Sequence, residues 1–148
     1  MTVKEYLSQG YRLEQRIKMH QDEIEGLKSL ATSVGSPGFN ENHNATKSSD
    51  APFEKTLLRI MDMEKEHALM LDKLLAFKGE LMLVFDEIQN KDERLVLHYR
   101  YIGNMRWTDI ADKLGWDPRT IKRWHNKAIA KVKIPANPTI IDKNLEKK

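Results

Sequence analysis

The chain has no cysteine among its 148 residues, so neither a disulfide framework nor a thiolate zinc site can form. Its five histidines, His20, His43, His67, His98 and His125, share no metal-ligand spacing, and no metal site is expected. A glycine-rich phosphate loop and a nucleophile elbow are both missing. Asp62, Glu64 and Glu66 alternate along an otherwise amphipathic stretch, which reads as a solvated face rather than as paired acid-base groups. Catalytic residues and cofactors are therefore not expected, and the chain reads as a non-enzyme. No apolar run approaches a membrane span, and the N-terminus enters polar residues without the order of a signal peptide. A cytoplasmic location without a membrane partner follows as an expectation.

What is present is charge, and it is unevenly placed. Charged residues make up 32% of the chain and hydrophobic ones 40%, with a net charge of +3. Residues 91–133 hold 11 Lys and Arg against 5 Asp and Glu, whereas residues 1–90 hold 11 against 15. Positive charge is thus concentrated on one segment, as a chain that approaches phosphates requires.

The periodicity predicts an all-α fold. Val3, Tyr6, Gly10, Leu13, Ile17, His20, Ile24, Leu27, Ala31 and Val34 alternate steps of three and four, predicting a long helix over about 3–31 with a heptad seam. Gly10 and His20 are its weak members, where irregular packing is expected. Residues 32–52 lose all period and are rich in Gly, Ser, Pro, Asn and Thr, which reads as a flexible linker. A second helix is predicted over about 53–89. Its wide stripe comprises Phe53, Leu57, Ile60, Met61, Ala68, Leu71, Leu74, Leu75, Leu81, Met82, Phe85 and Ile88, interrupted by Glu64, His67 and Lys78. A stripe that wide suggests contact with more than one helix. The simplest packing of the 1–90 region is an antiparallel helical hairpin, with a pair of chains meeting along the same seam as the competing arrangement. The tail 134–148, with two prolines and a charged end, is expected to be flexible.

Residues 91–133 carry three shorter helix signatures. Asn90 can cap the first, with Glu93 placed for a capping box, and Leu95, Val96, Leu97, Tyr99, Tyr101 and Ile102 make that support helix apolar nearly all round. Trp107, Ile110, Ala111 and Leu114 then fall at i, i+3, i+4 and i+7, one apolar stripe on a short helix. Gly115 can end it in the left-handed conformation. After Trp116, Asp117 can cap the next helix and Pro118 suits its first position. Over 118–132, Ile121, Trp124, Ala128 and Val132 form the apolar stripe while Arg119, Thr120, Lys122, Arg123, Asn126 and Lys127 face outward. Two short helices, a tight turn and a small residue, Ala111, at their crossing follow the logic of a helix-turn-helix that reads DNA. Trp107 and Trp124 lie on the stripes, so core packing is the favoured role over stacking on bases.

The run RYIGNMRWTDIADKLGWDPRTIKRWHNKAIAKV resembles the C-terminal region of bacterial sigma factors that reads the −35 promoter element. It resembles more closely phage-encoded late-gene transcriptional activators of the RinA and ArpU type, in which a helical N-terminal region precedes a sigma-like helix-turn-helix. Three positions depart from that pattern. Arg106 stands where a capping Ser or Thr is usual, Asn104 stands at the place of a displaced glycine, and Asp117 with Pro118 replaces a Ser or Thr followed by a basic residue.

The resemblance implies a bacterial host cell, duplex DNA as partner, and N-terminal helices that dimerise or contact host RNA polymerase. Arg119, Thr120 and Arg123, near the start of the reading helix, are the candidates for base contacts in the major groove. Arg106, Lys122, Asn126 and Lys127 are the candidates for phosphate contacts. The leading expectation is a sequence-specific transcription activator. A small-terminase-like packaging protein is the alternative, disfavoured because its DNA motif usually comes first. The DNA-binding end of a recombinase is the third, disfavoured by the missing catalytic residues.

Overall fold

A computed structural model describes residues 1–34 and 50–141. Helices α1 (Val3–Val34), α2 (Asp50–Asp86), α3 (Lys91–Leu97), α4 (Trp107–Leu114) and α5 (Pro118–Lys131) follow in order, with a single π turn at His98–Ile102 extending α3. No strand occurs among the described residues. Most of the linker expected at 32–52 lies outside the described residues, and both long helices run a few residues into its ends.

The chain divides into two compact units, one of Met1–Glu14 with Lys73–Lys148 and one of Gln15–Asp72. The cut crosses both long helices, whereas the expected boundary lay at residue 90. In the Gln15–Asp72 unit, Ile17, Ile24, Ile60 and Met63 are buried. Lys28 meets Glu64 at 2.6 Å, and the imidazoles of His20 and His67 stack with centroids 5.8 Å apart, so the two helical segments run antiparallel. The polar residues that interrupt each stripe thus answer one another. His20 also lies 3.5 Å from Glu66.

In the other unit, Tyr6, Leu7, Phe77, Leu81, Phe85, Val96 and Leu97 are sealed from solvent. Each such apolar side chain contributes about 1.5–3 kcal/mol relative to its exposed state. Gly10, a weak seam member by sequence, is a close-packing position. A Cβ there would lie 3.0 Å from the Phe77 ring. Lys78, the third interruption, pairs with Glu14 at 3.7 Å.

The wide α2 stripe is only half buried. Ile60, Leu74, Leu81 and Phe85 face inward, but Leu57, Met61 and Leu71 in one unit and Leu75 and Met82 in the other are exposed. One α-helical neighbour covers a stripe about 100° wide, and the remainder of a broader one stays in solvent.

The tail departs from expectation. Residues 134–141 are held in place rather than frayed, because the buried Gln9 and the half-buried Glu80 take partners from the tail backbone. The Thr139 N–H donates to Glu80 at 3.0 Å, the Ile141 N–H donates to Gln9 Oε1 at 2.7 Å, and Ile141 itself is buried. Tyr6 also donates its hydroxyl hydrogen to Glu80. The expectation for 142–148 lies outside the described residues.

Candidate nucleic-acid interface

Helix α3 starts as its sequence dictates. The Asn90 side chain accepts from the backbone N–H groups of Asp92 and Glu93 at 3.0 and 3.1 Å. Glu93, expected to complete a capping box, turns instead to α5. It is buried, and its carboxylate accepts from Lys131 Nζ at 2.6 Å, an anchor between the two helices. Arg94 donates twice to the Ile88 carbonyl, at 2.6 and 3.0 Å, tying the end of the preceding segment to α3. Beyond the π turn, Asn104 adopts the left-handed conformation at φ 50°, a region Asn tolerates better than most residues.

Arg106 occupies the position before α4 and makes no side-chain cap, as its replacement of Ser or Thr implies. Its guanidinium instead pairs with Asp109 at 3.1 Å. Gly115 ends α4 at φ 72° and ψ 27°, where a Cβ would be strained. Asp117 then caps α5 by accepting from the Arg119 N–H at 3.2 Å, with Pro118 in the first turn.

Val96, Ile110, Ala111 and Ile121 form the core joining α3, α4 and α5, and Tyr99, Met105, Trp107, Leu114 and Trp124 pack against it. Trp107 and Trp124 therefore serve the core. Trp116 sits in the turn, 56% exposed, edge-on to Trp124 with centroids 5.5 Å apart. Arg100 lies over the Trp107 ring at 4.4 Å and donates to the Met105 carbonyl at 2.9 Å, which pins the segment entering α4.

One member of this assembly went unread in the sequence. His125 is buried on the inner face of α5, with Nε2 2.6 Å from the Tyr101 hydroxyl and its ring 4.6 Å from Trp107. Ile121, His125, Ala128 and Val132 are spaced i, i+4, i+7 and i+11, so the spacing itself carried the signal. Burial pushes His125 down to about 4 and the Tyr101 hydroxyl up to about 12. The imidazole is accordingly neutral near pH 7, and it adds no charge to the cationic helix.

Burying that face turns the opposite one outward. Arg119, Lys122, Arg123, Asn126 and Lys127 are exposed on α5 and Thr120 is half-buried. Among the described residues, no ion pair occupies Arg119, Lys122, Arg123 or Lys127. The structure thus gathers six of the seven candidate contacts on one helix and sets Arg106 at the start of α4. The arrangement is a rigid row of cations and amides, suited to hydrogen bonding and charge neutralisation. Among the described residues, no group of three His, Asp or Glu side chains could hold a metal ion.

A family model described as a protein of unknown function, DUF1492, matches residues 44–133. The chain belongs to the DUF1492 family. The DUF1492 match takes in α2 through α5, including the whole candidate interface, and leaves out α1 and the docked tail. Neither a curated protein nor a solved structure matches the chain. No helix among the described residues is long and apolar enough to cross a membrane.

Proposed function

We propose that this DUF1492 protein is a sequence-specific regulator of transcription that binds duplex DNA through a helix-turn-helix formed by α4 and α5. One observation carries the reading: the outward row of Arg119, Lys122, Arg123 and Lys127 is exposed and unpaired among the described residues, on a helix fixed from behind by Ile121, His125 and Ala128. Arg119, Thr120 and Arg123 enter the major groove, where an arginine fork can meet O6 and N7 of guanine together. Lys122, Asn126, Lys127 and Arg106 hold the phosphates. The protein acts by binding and not by catalysis. The sequence resemblance to phage late-gene activators favours activation, in a bacterial host cell and with host RNA polymerase as a partner.

The apolar side chains left exposed on α2 support a homodimer formed through the N-terminal helices. A twofold dimer requires an inverted-repeat operator with half-sites ~10 base pairs apart or a multiple of that. Footprinting on DNA selected from a random pool tests the operator. A single asymmetric site bound by one chain would remove the dimer.

The residue assignment is tested by binding titrations on matched and mutated sites. Arg123→Ala should cost ~1–3 kcal/mol and relax specificity at one base pair, whereas Lys127→Ala should weaken all sequences alike and reduce the salt slope by ~1. Equal losses on every probe from both variants would overturn the assignment.

A further inference from the structure

Trp116 is the tryptophan that the core of α3, α4 and α5 does not take in. Its backbone is fixed at the end of α4, where the Gly115 and Trp116 N–H groups both donate to the Ala111 carbonyl, at 2.9 and 3.1 Å. Its ring is fixed as well, edge-on to Trp124 with an interplanar angle of 65°. The side chain is nevertheless 56% exposed, and among the described residues nothing accepts from its indole N–H. Trp124 stands one turn after Thr120 and three residues before Lys127, so by the helical period Trp116 borders the flank of α5. Arg119 and Arg123 project from the middle of the outward row.

An indole offers one N–H donor and no acceptor, beside a broad apolar ring. The acceptors that flank a major groove are phosphate oxygens. Paired bases are already stacked on one another, so the ring finds no free base face in a duplex. A ring already held in one orientation also loses little conformational freedom when it docks. We infer that Trp116 contacts the sugar-phosphate backbone of duplex DNA, its N–H donating to a phosphate oxygen at the edge of the groove that α5 enters. The inference rests on the proposed DNA reading and adds to it an uncharged contact. Trp116 neither reads a base nor releases counterions, which separates it from both Arg123 and Lys127 in a titration.

Binding titrations over salt, on the selected duplex and on an unrelated one, compare the wild-type chain with Trp116→Phe and Trp116→Ala. Trp116→Phe keeps a ring against Trp124 and lacks the N–H. It should weaken binding to both duplexes about tenfold, the scale of one hydrogen bond to a charged group. Trp116→Ala, without ring or N–H, should lose at least as much. In both variants the slope of log K against log salt should stay at the wild-type value, since no cation is removed. Circular dichroism and urea unfolding check that the fold is kept. A methylphosphonate placed at successive positions of the selected duplex then locates the acceptor: at one phosphate, the loss it causes in the wild type should shrink in Trp116→Phe. A loss confined to the selected duplex would make Trp116 a base contact, and a reduced salt slope would mean that the turn merely sets the α5 cations; either result overturns the inference. If Lys127→Ala reduces the slope while Trp116→Phe binds like the wild type, the DNA reading stands and the inference alone fails. If the wild-type chain binds no duplex at low ionic strength, both fail.

Discussion

The two compact units solve the problem of burying apolar surface differently. Among the described residues, every large side chain that is fully sealed, from Tyr6 and Phe77 to Ile110 and Ile121, belongs to the unit of Met1–Glu14 and Lys73–Lys148. In the Gln15–Asp72 unit the buried residues each keep some exposure, a histidine pair and an ion pair share the seam, and Leu57, Met61, Leu69 and Leu71 face solvent. On the proposed reading α5 places arginine forks in a groove, a task that needs a rigid base, and close-packed interiors transmit position faithfully. A pair of helices with unburied leucines has apolar surface left for a partner. The unit of Met1–Glu14 and Lys73–Lys148 thus fixes geometry with its sealed core, while both units keep apolar α2 surface, Leu75, Met82 and Leu83 in that one and Leu57, Met61, Leu69 and Leu71 in the other.

The largest effect that could break this contrast is in the cores. Ile121→Ala should lose stability near the upper end of the ~2–5 kcal/mol seen for such truncations, and Ile24→Ala near the lower end. Urea unfolding of both variants measures it, and equal losses would erase the distinction.

Acid should act on the rigid unit next. His125 is lowered to about 4, chiefly by burial, and the nearby cations Arg100 and Lys4 push the same way. His98 is also lowered, chiefly by burial, with Asp86 opposing and Arg94 reinforcing the shift. The unfolded chain takes up protons near the ordinary histidine value of 6.5 while the folded chain resists until about 4. Stability contributed by the neutral ring is thus complete above about 6.5 and is lost as pH falls through that window toward about 4. In thermal melts across this range, His125→Gln should decline less steeply than the wild type, even though it is less stable at neutral pH. Parallel slopes would show that the ring's burial is not felt.

The smallest expected effect on folding sharpens the contrast from the other side. Met61→Glu alters an exposed side chain and should shift the stability of a single chain by less than about 0.5 kcal/mol. If the proposed homodimer forms through α2, light scattering should nonetheless report a fall in mass toward the 17.3 kDa of one chain. A wild-type oligomer that keeps its mass in the variant would place the interface elsewhere.

Local rules made much of this structure legible. Asn90, Gly115, Asp117 and Pro118 act through their own backbone geometry and nearest N–H groups, so the start of α3, the end of α4 and the start of α5 could be placed from the chain alone. The outward row on α5 was equally readable, because a period of 3.6 fixes which side chains oppose Ile121 and Ala128. What escaped depended on partners distant in sequence. Glu93 reads as half of a capping box until Lys131 is beside it, and the tail reads as loose until Gln9 and Glu80 supply acceptors for its N–H groups. The α2 stripe could not reveal which half finds a neighbour, since its leucines are chemically alike. His125 differs, because its spacing was visible and its polarity concealed it. Trp116 was visible as the tryptophan off both stripes, and only folding sets it edge-on to Trp124 with more than half of it in solvent.

The claim on which the rest depends is that the exposed face of α5 docks on duplex DNA. Titrating the purified chain with its selected duplex over a range of salt concentrations tests it most directly. The account predicts that log K falls linearly with log salt, with a slope that Lys127→Ala reduces by ~1. A chain that ignores duplex DNA at low ionic strength, or binds it with a slope unchanged by loss of the α5 cations, would contradict it.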